Sequence, residues 1–130
     1  MTDKKKKVLV VDNLKAWTRV KSVLEGQLDC EIDIFDKTGL AREALLDNGS
    51  YSLAIIDPYD WKIGGGLVEA RVAFVRELQN KLPVLILTRF GSNVIERRCK
   101  LVSGEHYQAH VLRKYGYEKT LLEEMRGLLG

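Results

Sequence analysis

The sequence predicts an α/β domain in which a five-stranded parallel sheet is covered by helices on both faces. Three observations carry that prediction. Apolar runs of strand length alternate along the chain with segments whose apolar residues recur at helical spacing. The connections between them are mostly short, and strict β-α alternation with short connections builds a parallel sheet wrapped by helices. Finally, the first, third and fourth runs are apolar almost throughout, as strands buried on both faces must be.

Each element follows from local pattern. Lys7 to Asp12 (KVLVVD) is β-branched, of strand length, and ends in polar residues. Leu14 to Gly26 carries Leu14, Trp17, Val20 and Leu24 at helical spacing, and Gly26 suits a left-handed C-cap. Cys30 to Phe35 (CEIDIF) alternates apolar with acidic, the pattern of a strand near a sheet edge. Thr38 to Asn48 is a helix with Leu40, Ala44 and Leu45 inward and Gly49 as its stop.

Tyr51 to Asp57 is the third strand, followed by a loop from Pro58 to Gly66 that three consecutive glycines make pliable. Leu67 to Lys81 is the third helix, with Leu67, Ala70, Phe74 and Leu78 on one stripe. Pro83 to Thr88 (PVLILT) is the fourth strand, entered through a proline where a missing N–H is tolerated. Asn93 with Glu96 three residues later forms a capping box that opens a fourth helix to Val102, the least apolar of the set. His110 to Arg113 is a short fifth strand, and Tyr117 to Leu129 is a fifth helix with Leu121, Leu122, Met125, Leu128 and Leu129 facing in.

Five strands in this length suit the flavodoxin-like doubly wound order 2-1-3-4-5, which places the three most apolar strands at the centre. The expectation is one domain over residues 1–130, without repeat, linker or separate output domain.

Composition narrows the class. Hydrophobic residues at 45%, charged residues at 30% and two prolines describe a soluble globular chain rather than a disordered or fibrous one. No apolar run approaches the ~20 residues of a membrane span. Lys4 to Lys7 followed by Val8 to Val11 is too short and strand-like for a signal-peptide core, so a cytoplasmic protein is expected. The net charge of +3 comes partly from that lysine run, which reads as a solvated terminus, and no DNA-reading helix pattern accompanies it. Cys30 and Cys99 are in no metal-ligand or CxxC spacing and read as buried free thiols.

The candidate chemistry lies where the strands end. Asp12 and Asn13 follow the first strand, Asp57 the third, Thr88 the fourth and Lys114 the fifth, all on one edge of one sheet. In an open α/β sheet this edge is where ligands collect, because strands stop there and helix N-termini begin. Carboxylates about 4 Å apart repel by roughly 4 kcal/mol at an effective dielectric near 20, so an ionised pair calls for a cation. A hard ion such as Mg²⁺ answers with oxygen ligands and retained water. Each residue also has a plainer role: Asp12 or Asn13 can cap the first helix, Asp57 can start the turn that Pro58 continues, Thr88 is an ordinary strand residue and Lys114 an ordinary surface one.

The runs VLVVDN, TGLAREALL, LAIIDP, PVLILT and VLRK, taken in that order, resemble the receiver domain of bacterial response regulators over essentially the whole chain. The resemblance implies phosphotransfer from a phosphohistidine of a histidine kinase or phosphotransfer protein to Asp57. It implies Mg²⁺ held by the acids at the first strand, Asp57 and the backbone carbonyl of Tyr59, with Thr88 and Lys114 meeting phosphoryl oxygens. Signalling would then pass to a downstream protein partner, or to a homodimer, through the face of the fourth helix, fifth strand and fifth helix. A phosphorylated carboxylate that biases a two-state surface is a switch, not a turnover enzyme.

Several positions depart from the family pattern. Asn13 stands where a second acid is usual, keeping an oxygen donor but removing one negative charge. Asp60 can supply a replacement carboxylate or remain a solvated loop acid. Pro58 removes an N–H directly after the acceptor. Arg89 follows Thr88 where a small residue is usual, and can cover the site, pair with Asp57 or point to solvent. Tyr115 replaces a proline after Lys114, and Val111 stands near where a switching aromatic is common. Two readings therefore stand: a phosphoacceptor receiver, or a receiver-like interaction module that works without phosphorylation through its helical faces. A flavin- or nucleotide-binding role is disfavoured because DNLKAW lacks a phosphate-cradling loop and no Walker A or GxGxxG sequence occurs. His106 and His110 lack a third nearby ligand and read as structural or surface histidines.

Overall fold

The computed structural model describes residues 6–48, 50–60, 66–67, 69–78, 80–88, 110–113 and 117–129. Among them, a five-stranded parallel sheet is built from β1 (Lys6–Val11), β2 (Cys30–Phe35), β3 (Tyr51–Ile56), β4 (Val84–Thr88) and β5 (His110–Arg113). The order is β2-β1-β3-β4-β5, the doubly wound arrangement expected. Four helices are described: α1 (Leu14–Leu28), α2 (Thr38–Asn48), α3 (Glu69–Leu78) and α4 (Tyr117–Leu129). The sequence-predicted helix Asn93 to Val102 lies outside the described residues, as do Arg89, Cys99, His106 and Lys114.

Two-residue periodicity divides the sheet into two cores. Leu9 and Val11 of β1, Ala54 and Ile56 of β3, and Val84 and Ile86 of β4 pack with Ala41 of α2 and Val72, Phe74, Val75 and Leu78 of α3. Val8, Val10, Ile32, Leu53, Ile55, Leu85 and Leu87 occupy the alternate positions. They pack with Trp17, Val20 and Leu24 of α1 and Leu121 and Met125 of α4. Successive strand side chains point to opposite faces, so a run such as VLVV must be covered from both sides, and it is. Register locks the arrangement: Val11 lies beside Phe35 on one flank and Ile56 on the other. β2 is an edge strand, consistent with its alternating acidic residues.

Several helix details differ from the sequence-based expectation. α1 does not stop at Gly26 but runs to Leu28, and the left-handed residue that ends it is Asp29, with φ 50 and ψ 50. Aspartate tolerates this conformation because its short polar side chain can bond locally. Leu14 is exposed rather than inward, since the first turn lies at the sheet's edge, past the strand residues that would cover it. In α2 the buried position is Ala41, with Ala44 and Leu45 packed beside it, and Leu40 flanks the stripe in solvent.

α3 starts at Glu69, not Leu67, because Leu67 is paired with Tyr59 in a two-residue antiparallel ladder, Tyr59–Asp60 against Gly66–Leu67. Its inward stripe is Arg71, Phe74, Val75 and Leu78, and Ala70 is exposed. α2 and α3 are joined at the surface by Arg42, which bonds Glu77 at 2.8 Å and lies over the Phe74 ring. Among the described residues, no helix is long and apolar enough to cross a membrane.

Candidate functional site

The C-terminal edge of the sheet holds two buried carboxylates on neighbouring strands. Asp12 is 3% exposed and Asp57 6%. Each is one residue beyond its strand, and each is held there by an extension of the parallel ladder. The Asp12 N–H donates to the carbonyl of Phe35 and the Asp57 N–H to that of Val11, both at 3.0 Å. Because Val11 pairs with Ile56, the residues that follow, Asp12 and Asp57, are brought side by side.

The Asp12 carboxylate is oriented by donors from its own chain. Oδ1 accepts from the backbone N–H of Asn13 at 2.7 Å, and Oδ2 accepts from the Trp17 indole N–H at 2.9 Å. Asp12 continues the Val8–Val10 row, whose face is covered by α1, so the α1 indole can reach it. Asn13 is the N-cap of α1: in extended conformation, its Oδ1 accepts from the Lys15 N–H at 3.0 Å. Of the two residues that could cap the first helix, Asn13 is the one that does.

Asp57 has a partner that sequence reasoning missed. Arg71, on the inward stripe of α3 and 5% exposed, donates through Nη1 to the Asp57 carbonyl and through Nη2 to the Asp36 carbonyl, each at 3.0 Å. One guanidinium thus ties together the chain leaving β2, the chain leaving β3, and α3. Two divergent N–H groups on one rigid plane make arginine suited to this bridge. The available signal was its spacing: Arg71 precedes Phe74, Val75 and Leu78 by three, four and seven residues, on the buried face. Trp17 was expected inward, but the need of its indole N–H for a buried acceptor was a further clue.

The remaining candidates are placed in part. Thr88 ends β4, beside Arg113 of β5, and the backbone of Tyr59 follows Asp57 by two residues; the Thr88 hydroxyl, the Tyr59 and Asp60 side chains and all of Lys114 lie outside what is described. Pro58 is buried directly after Asp57. Among the described residues, no three acidic, histidine or cysteine side chains gather as a metal cluster. The donors at this edge are two carboxylates with backbone and amide oxygens. Such a set fits Mg²⁺, which is commonly held by one or two carboxylates while keeping water and substrate phosphate oxygens.

The fold defined by this sheet order and paired helices is that of signal receiver domains. The chain is similar to the signal receiver domain of an HD domain-containing protein from Pseudomonas fluorescens Pf-5, at 16% identity and a TM-score of 0.72, covering 99% of this chain and 90% of that one. It is similar to the chemotaxis protein CheY4 of Vibrio cholerae at 19% identity and a TM-score of 0.68, covering 97% of this chain and 100% of that one. A third similar structure belongs to a family of redox sensors in the streptococci evolved from two-component response regulators. There identity is 11% and the TM-score 0.67, over 95% of this chain and 51% of that one. No protein-family model matches the sequence, and no curated protein matches it. The likeness is one of fold, and the similar structures include further signal receiver domains and a DNA-binding response regulator.

Proposed function

We propose that the protein is a two-component receiver that accepts a phosphoryl group on Asp57 from a phosphohistidine and signals through partner binding. The observation that carries this reading is the pair of buried carboxylates, Asp12 and Asp57, held side by side at the C-terminal edge by ladder bonds. In the transfer, an Asp57 carboxylate oxygen attacks phosphorus, the P–N bond to imidazole breaks as the P–O bond forms, and the imidazole nitrogen leaves with the electron pair. Such chemistry asks the protein mainly for alignment and charge stabilisation. Alignment comes from the Asp57–Val11 bond and the Arg71 tie at the Asp57 carbonyl.

Asp12, Asn13, Asp57 and the Tyr59 carbonyl are the residues assigned to hold Mg²⁺, which when bound neutralises charge on the transferred oxygens. Thr88 and Lys114 are assigned to hydrogen-bond and pair with those oxygens. The assigned partners are a histidine kinase or phosphotransfer protein and a downstream protein, in the cytoplasm. The output face is β5, α4 and the sequence-predicted helix Asn93 to Val102, through which a homodimer can also form. The domain then acts as a switch without turnover of its own.

A second reading, a phosphorylation-independent interaction module, is favoured by one observation: the oxygens of Asp12 and Asn13 already accept bonds from the chain itself. Intact mass after incubation with Mg²⁺ and acetyl phosphate or phosphoramidate separates the two. A gain of one phosphoryl group, absent in Asp57→Asn, is the expected result. No gain, together with no Mg²⁺-dependent binding of beryllofluoride, would establish the second reading.

A further inference from the structure

We infer that Trp17 is a positioning residue for divalent-cation binding, fixing through its indole N–H the direction in which Asp12 presents its carboxylate. This inference rests on the metal assignment in the proposed function and extends it to a residue outside the ligand set.

The argument begins with burial. Trp17 is 1% exposed and belongs to the core formed by α1, α4 and one face of the sheet, so its ring cannot swing without opening that core. Its N–H has the Asp12 Oδ2 atom as acceptor at 2.9 Å. Turning Asp12 away would strand an indole donor among Val8, Val10, Val20 and Leu24. Buried donors left without acceptors are strongly disfavoured, so the bond restrains both groups.

The second carboxylate oxygen is held as well, by the Asn13 N–H at 2.7 Å. The plane of Asp12 is thereby set before any ion arrives. Such outer bonds to ligating groups commonly govern metal affinity by about 10- to 100-fold. The dependence should be strong here because Asn13 supplies no second carboxylate and its amide oxygen already caps α1 through Lys15.

The test counts free Mn²⁺ by electron paramagnetic resonance as protein is added, in a Trp61→Phe background where Trp17 is the one remaining tryptophan. Two changes at position 17 are compared: Trp17→Phe, and incorporation of benzothienylalanine, which keeps the bicyclic shape but replaces N–H by sulfur. The latter answers the concern that phenylalanine leaves a cavity and unfolds the chain. Asp12→Asn marks loss of the ligand itself.

The expected result is weak but measurable binding in the background protein, loss in Asp12→Asn, and a dissociation constant raised about 10- to 100-fold when the N–H alone is removed. Indole emission in the background protein should also be quenched by Mn²⁺. Equal or tighter binding without the N–H would overturn the positioning role. If that occurs while the protein still gains a phosphoryl group on Asp57, the proposed function survives and this inference falls alone. If the background protein neither binds Mn²⁺ nor gains the group, both fall together.

Discussion

Replacing Arg71 by methionine should be among the most damaging single changes at this edge of the sheet. The side chain is 5% exposed and donates to the carbonyls of Asp57 and Asp36 at 3.0 Å each. Methionine fills comparable length but offers no donor, leaving two acceptors to find new partners. Losing the donor to a buried acceptor costs up to about 1–3 kcal/mol, and the loss weighs most on the Asp57 carbonyl, whose bond is buried. The Asp36 bond is half-buried, so water recovers part of that loss. Removing a desolvated guanidinium returns something, for a net loss of about 2–4 kcal/mol.

That is a large share of the roughly 5–15 kcal/mol available to a domain. Arg71→Lys keeps the charge but lacks the planar fork that reaches two divergent carbonyls, so it should lose about half as much. Urea unfolding provides the assay: the midpoint should fall in the order wild type, Arg71→Lys, Arg71→Met at unchanged slope. A loss below about 1 kcal/mol for Arg71→Met, or equal losses for the two variants, would refute the claim that the two-carbonyl bridge is what Arg71 contributes.

Gly26 lies inside α1, and a Cβ there would meet nothing within 4 Å. Gly26→Ala should therefore raise stability by about 0.5–1 kcal/mol in the same assay, whereas a true left-handed cap glycine would lose stability on this change. The Arg42 hydrogen bond holds the Glu77 carboxyl below the ordinary carboxylate range, against an opposing effect of burial. A depressed folded pKa contributes stability above the unfolded value that is lost as pH falls through the folded one, so the cost of Glu77→Gln should be seen at neutral pH and vanish in acid. With both side chains substantially exposed, that cost should be about 0.2–1 kcal/mol and shrink in 1 M salt, which a pH and salt series of urea midpoints would check. Asn13→Asp keeps an N-cap oxygen for the Lys15 N–H while adding a carboxylate beside Asp12. Thermal midpoints should then rise more steeply with Mg²⁺ than in wild type, and an unchanged Mg²⁺ response would remove Asn13 from the metal assignment.

The sheet was legible because its signal is strong and local. VLVV, LAII and LILT are apolar almost throughout, so those strands must be central, and the order β2-β1-β3-β4-β5 is the doubly wound order that puts them there. Helix phase was less legible. Leu67, Ala70, Phe74 and Leu78 fit one stripe by spacing, yet the pairing of Leu67 with Tyr59 moves the helix start and leaves Arg71 inward and Ala70 out. Hydrophobicity alone ranks alanine above arginine for burial, but here a guanidinium has two carbonyls to satisfy. The end of α1 was misplaced for a related reason: glycine is the commonest left-handed cap, but Asp29 adopts that conformation in its place. For the site, residue types and strand ends located Asp12 and Asp57. Their hydrogen-bond partners were hidden because those come from helix faces rather than from the strand ends themselves.

Those partners change how charge at this edge should be counted. Two carboxylates with no cation of their own would favour a divalent ion chiefly to relieve repulsion. Here the Arg71 guanidinium bonds the Asp57 backbone, and the Trp17 and Asn13 N–H groups face Asp12, so the chain supplies positive charge and dipoles from within. The demand for Mg²⁺ is correspondingly lower before phosphorylation than after it, when a phosphoryl group adds a charge of about −1.5 to −2. A receiver built this way should bind the ion weakly at rest and far more tightly together with the phosphoryl group or beryllofluoride. An interaction module would have no such coupling, because no later charge arrives at its carboxylates. The two readings thus separate on the mutual dependence of Mg²⁺ and the phosphoryl mimic, which linkage requires to be equal in both directions.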